Sequence, residues 1–156
     1  MPERDPINPT TPEAIALALD LLGAARFGAL AVTHPDHGTP YVARVATLWG
    51  DGALYSLIST LSLHTKALQA NPACAMLVGE PGNKGDPLTH PRLTLSATAE
   101  TADKAAFKDR WLSAIPKAKL YYDFADFQLY RLAPQWVDLN GGFGKAFHLT
   151  AEDLLG

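Results

Sequence analysis

"FGALAVTHPDHGTPYVARVATLWGDGALYSLIS", residues Phe27 to Ser59, decides the fold. Three runs of strand-forming residues are separated by "HPDHG" and "GDG". Both separators carry turn chemistry, and both are far too short for a crossover helix. Strands joined this closely pair antiparallel.

The flanks extend this pattern. Upstream, "TTPEAIALALDLLG" predicts a helix: Thr10 or Thr11 caps it, Pro12 suits its first turn, Glu13 complements the dipole, and Gly23 stops it. Ile15, Leu19 and Leu22 share one face. Downstream, a short helix spans Ser62 to Ala70 and ends before Asn71-Pro72. "ACAMLVGE" and "RLTLSATAE" are strands around the loop "PGNKGDPLTHP". "TADKAAFKDRWLSAIP" is helical, with Phe107 and Trp111 along one row. "DFQLYRLAP" and "QWVDLN" form two more strands, and "GGFGKAFHLT" closes the core. About seven strands and three helices leave too few helices for a doubly wound sheet. The expected class is mainly β (α+β), an antiparallel barrel or sandwich with peripheral helices.

The 156 residues suit one domain over 1–156, with residues 1–10 as a flexible arm. The net charge is −3 and the basic residues are scattered, which points away from nucleic acid. No apolar run approaches the roughly 20 residues that span a bilayer, so no membrane role is expected. The proline-rich start lacks the apolar core of a signal peptide. Cys74 lies in the apolar run "ACAMLVG" and reads as an inert thiol, in keeping with a cytoplasmic protein.

Function is written around "LISTLSLHTKALQANP", Leu57 to Pro72. Between Asp51 and Glu80 there is no acid. A helix start favours acids, yet this one gathers Ser59, Thr60, Ser62, His64, Thr65 and Lys66. A bound phosphate would turn that arrangement into a gain. Two readings fit: an anion site, or hydroxyls at an ordinary helix start with Lys66 in solvent. Arg44 shares a strand face with Val42, Ala46 and Leu48, and needs either an anion or water. If its strand pairs with "ALYSLIS" through the "GDG" turn, Arg44 comes opposite Leu57 to Ser59.

Other motifs carry less. "NGGFGKAF" lacks Walker spacing, since Leu139 stands where a glycine is needed and Ala146 follows Lys145. "HPDH", with His34, Asp36 and His37, reads as a turn, and no metal site is expected. "YYDFADF", Tyr121 to Phe127, reads as core packing or a subunit interface. No residue stands out as a catalytic acid or base.

In order and spacing, "ARFGALAVTHPDHGTPYVARV", "LISTLSLHTKALQANPACAMLV", "DPLTHPRLTLSATAE" and "DFQLYRLAPQWVDLNGGFGKAFHL" resemble the FMN-binding split barrels related to pyridoxamine 5'-phosphate oxidase. Within that family the likeness is greatest to the haem-utilisation (HugZ-type) branch, without its C-terminal extension. The resemblance implies a six- or seven-stranded antiparallel split barrel that forms a homodimer, with FMN sites at the interface. It implies that Arg44 approaches the FMN phosphate, that Ser59 and Thr60 contact phosphate and ribityl, and that Ser62, His64 and Lys66 form the helix-start site. Phe143 and Lys145, in the "GGFGKA" turn, would reach the flavin from their own subunit or from its partner. The implied function is an FMN-dependent oxidoreductase acting on a small molecule. Its alternatives are a non-catalytic haem- or flavin-binding protein, or a split barrel using another phosphorylated cofactor such as F420.

Overall fold

A computed structural model describes residue 3 and residues 5–155. Nine strands and three α-helices follow in the order β1 (Ile7–Asn8), α1 (Pro12–Ala24), β2 (Phe27–Thr33), β3 (Pro40–Ala46), β4 (Leu48–Gly50), β5 (Ala53–Ser59), α2 (Leu63–Ala70), β6 (Ala73–Val78), β7 (Arg92–Thr101), α3 (Lys104–Ala114), β8 (Phe127–Asn140) and β9 (Ala146–Thr150). Of the seven longer strands, β2, β3, β5, β6 and β7 are those expected from sequence and β9 lies in the closing segment, and every pairing among the seven is antiparallel. The arrangement is the expected mixed α+β split barrel. Residues Ile7–Asn8, expected within a flexible arm, instead run parallel to β9. Met1, Pro2 and Arg4 of that arm lie outside the described residues.

Two strands organise the barrel. β8, expected as two strands, is continuous over 14 residues. Its first half pairs with β5 and its second half with β9, while β7 runs along its other edge. The register with β7 shifts so that Gln135 has no partner, next to Pro134. A bulge bends a strand and raises its twist, which lets β8 change neighbours without ending. β5 is buried on both faces. Leu54 and Ile58 enter the main core with Leu30, Met76, Leu95 and Leu132. Ala53, Tyr55 and Leu57 enter a second core beneath α3, with Phe107, Trp111 and Tyr122. This explains the largely apolar run "ALYSLI", within which Ser56 is the one buried hydroxyl.

The expected ladder between β3 and β5 is absent. β3 ends at Ala46, the chain passes the buried Thr47, and only the short β4 pairs with β5. The Thr47 N–H donates to the Arg26 carbonyl at 2.9 Å, so the chain stays beside the start of β2 up to that point and joins β5 only from Leu48. The Ser56 hydroxyl reaches the Ala46 carbonyl at 2.7 Å across the opening.

The helices keep their predicted starts. Thr11 caps α1 by accepting from the Ala14 N–H at 3.1 Å. Asp103 caps α3 in the same way. α1 runs through Gly23 to Ala24, contrary to the expected stop. Its fully buried face is Ala14, Ala18 and Leu22, with Ile15 and Leu19 only half-buried. Small residues let the helix lie close against the sheet. Among the described residues, no helix is long and apolar enough to cross a membrane.

Candidate functional site

The end of β5 turns directly into α2. Ser62 stands at the N-cap with extended backbone, yet its side chain makes no capping bond among the described residues. Leu63 and His64, first in the helix, present N–H groups that have no intrahelical acceptor. The turn is braced from inside. The Thr65 hydroxyl, fully buried, donates to the Ser59 carbonyl at 2.5 Å. No acid lies in the first turn of α2.

Beside this helix start lies a cleft of about 220 Å3. It is lined by Arg44, Ser59, Ser62 and His64, with apolar walls that include Leu57, Tyr121 and Phe127. Four of the residues expected from sequence therefore meet on one concavity, although β3 and β5 share no ladder. Arg44 is exposed and its guanidinium lies 5.6 Å from the centre of the Phe27 ring. A cation over an aromatic face keeps its charge while its route is narrowed. His64 is half-buried, and that burial holds its imidazole below the usual pKa. The neutral ring can accept a hydrogen bond, bind a metal centre, or take up a proton when an anion arrives.

The other predicted residues are placed differently. The Ser59 hydroxyl donates to Asp126 Oδ2 at 2.7 Å and accepts from the Leu61 N–H at 3.2 Å, so its hydrogen bonds are committed within the fold. Thr60 does not line the cleft; its N–H donates to the Asp126 carbonyl at 2.7 Å. Lys66 is exposed and also stands outside the lining. Phe143 and Lys145 line a second cleft of about 360 Å3, with Arg92, Asn140 and Asn8, that shares no residue with the first.

Sequence reasoning missed Asp126, Tyr121 and Phe127 as parts of this corner. They arrive because β8 pairs with β5, which sets Ser59 opposite Phe127. The signal was the aromatic and acidic "YYDFADF", whose partner strand is about 70 residues earlier. Cys74 behaves as expected: it is half-buried and burial raises its thiol to about 11.

With a cation, two open N–H groups, a neutral imidazole and aromatic walls, the corner can hold an anionic group attached to an apolar body. Residues 16–141 match the family model described as pyridoxamine 5'-phosphate oxidase. The chain is 36% identical over 101 residues to the chloroplastic haem oxygenase HOZ of Arabidopsis thaliana, a match covering 62% of this chain and 30% of that protein. It is 24% identical over 127 residues to the haem oxygenase HutZ of Vibrio cholerae, covering 76% of this chain and 71% of that protein. A solved haem-binding protein from Mycobacterium smegmatis is 28% identical with a TM-score of 0.85, covering 93% of this chain and 61% of that one. The chain thus spans less than a third of the Arabidopsis protein and under two thirds of the Mycobacterium structure.

Proposed function

We propose, from the premise that the chain belongs to the pyridoxamine 5'-phosphate oxidase family, that it binds haem. The observation that carries this reading is the convergence of Arg44, Ser62 and His64 on one cleft at the open start of α2. Haem carries two carboxylates on a flat apolar ring. A carboxylate at this corner would pair with the Arg44 guanidinium and accept from the α2 N–H groups. The relatives named for haem add weight. When bound, haem supplies redox and oxygen chemistry through its iron. The chain's own part is to grip the carboxylate, to exclude water with Leu57, Tyr121 and Phe127, and to keep His64 neutral.

A second copy of the chain belongs in this reading. The outward face of β2, β3 and β6 is mostly apolar. Ala29 pairs with Arg44 and Leu77, and Ala31 with Val42 and Ala75, while Phe27 and Val42 are exposed beside them. Covering this face with its own copy would remove apolar area from water, and in this reading it brings Phe143 and Lys145 of one subunit towards Arg44 of the other.

FMN is the second reading, favoured by the uncapped α2 start. A phosphate dianion gains more than a carboxylate from open N–H groups and Arg44. In that case Lys145 would steady the reduced flavin and the protein would act as an oxidoreductase on a small molecule.

Titration of the purified protein with haemin and, separately, with FMN tests the choice. The expected result is a saturable Soret band with haemin, weakened about tenfold or more in Arg44→Ala, as loss of a charged hydrogen bond predicts. Tight FMN binding with no haemin saturation would replace the first reading by the second. Sedimentation should give a dimer, and a monomer that binds ligand fully would overturn the shared interface.

A further inference from the structure

The turn that follows α3 is unusual in what it exposes and in how firmly it is held. Phe124 is 55% exposed and Leu120 is 82% exposed. Large apolar groups on a loose turn would need no explanation, but this turn is anchored. The Lys104 ammonium donates to the Phe124 carbonyl at 2.8 Å and to the Phe127 carbonyl at 2.7 Å. The Tyr122 hydroxyl donates back to the Lys104 carbonyl at 2.6 Å, and Lys108 pairs with Asp123. Backbone bonds from Phe124 N–H to the Tyr121 carbonyl and from Phe127 N–H to the Phe124 carbonyl close two successive turns. The backbone that carries the three rings is therefore held in place. Tyr121 and Phe127 lie 5.0 Å apart between centres, and Phe124 lies 6.3 Å from Phe127.

Tyr121 and Phe127 also form a wall of the Arg44 cleft. That cleft, at about 220 Å3, is smaller than the roughly 300–1,000 Å3 of ordinary ligand pockets. It admits the charged end of a ligand and leaves the body outside. The rim on which such a body would rest is aromatic on this side, and Leu61, 75% exposed, stands at the entry to α2.

We propose that Tyr121, Phe124 and Phe127 form an aromatic platform for the flat ring of a porphyrin dicarboxylate whose carboxylate is held at the Arg44 corner. This rests on the haem reading above and adds the subsite that holds the macrocycle. The Tyr121 and Phe124 rings tilt by 36° and 59° from that of Phe127, so a flat macrocycle stacks on one ring and meets the others edge to face, both favourable aromatic geometries. Charge complementarity at one end and apolar area at the other then fix the ligand's orientation.

The test compares haemin with iron-free protoporphyrin IX on the full chain. Phe124→Ala should weaken both by about tenfold, the scale of one lost aromatic contact plus its buried area, while Phe124→Tyr retains binding. Sedimentation and urea midpoint should stay as in the unmodified protein, since Phe124 is more than half exposed. If the unmodified protein binds haemin but Phe124→Ala binds both porphyrins equally well, the platform is wrong and the haem reading stands. If haemin binds and protoporphyrin does not, the iron alone holds the ligand and the platform is again wrong. A change in sedimentation with the substitution would assign the patch to a second copy of the chain and overturn the platform. If neither porphyrin binds the unmodified protein, the haem reading itself fails.

Discussion

Lys104→Met puts the local logic of the α3 region to a quantitative test. Lys104 is the first residue of α3, where a cation meets the positive end of the helix dipole. Its position is explained by the two carbonyls it holds, those of Phe124 and Phe127. Methionine keeps the apolar stem and removes the ammonium. Each charge-assisted bond contributes roughly 1.5–3 kcal/mol when well shielded. Lys104 is only half-buried, so solvent takes a large share of that. Removing the cation from the helix start returns about 0.3–1 kcal/mol. The net loss is about 2 kcal/mol. For a chain of this length that corresponds to a fall in Tm of roughly 4–8 °C. At a urea m-value of about 2 kcal/mol/M it is a midpoint lower by about 1 M. Thermal and urea unfolding followed by circular dichroism read both. A shift under about 1 °C would refute the reasoning, because the 121–127 turn would then hold itself without the ammonium.

Other perturbations probe other parts. Because burial lowers the His64 pKa, the unfolded chain takes up this proton first as pH falls below about 6.5, so the contribution from neutral His64 is present above that pH and lost below it. Stability measured from pH 8 to 5 should decline more in the unmodified protein than in His64→Gln, and parallel profiles would remove His64 as the cause. Gly79 has φ +107° and its added Cβ would lie 2.6 Å from the Pro91 carbonyl oxygen, so Gly79→Ala should cost roughly 2 kcal/mol or more in urea unfolding; an unchanged midpoint would contradict the close β6–β7 approach. Thr47 Oγ1 is buried without a partner among the described residues, so Thr47→Val should raise stability by about 1 kcal/mol, and a loss of stability would reveal a bound water there. With its pKa near 11, Cys74 should react with a thiol reagent at pH 8 far more slowly in the folded protein than in denaturant, and equal rates would show that β6 opens readily from its neighbours.

Much of the fold was legible because its signals are local. Strands β2, β3, β5, β6 and β7 followed from alternation and turn residues, and the start of α2 at Ser62–Leu63 from hydroxyls before an apolar periodicity. Gly23 misled because one glycine costs a helix only about 1 kcal/mol, which packing of α1 on the sheet outweighs. Pro134 misled in the same sense: it suggested a strand break where the fold uses a bulge to carry β8 from one neighbour to the next.

For the site, the sequence by itself determined the chemical bias: a helix start without acids, fronted by serine and histidine, and an arginine stranded among apolar residues. Those are choices of residue type along one stretch of chain, where neighbours are known in advance. Only the tertiary structure decided which groups meet. It left Lys66 and Thr60 off the cleft, tied the Ser59 hydroxyl to Asp126, and brought in Tyr121 and Phe127 across the β5–β8 ladder. The reason is register. Pairing between strands some 70 residues apart depends on how all the intervening apolar surface is buried, and a shift of one residue turns every side chain to the opposite face.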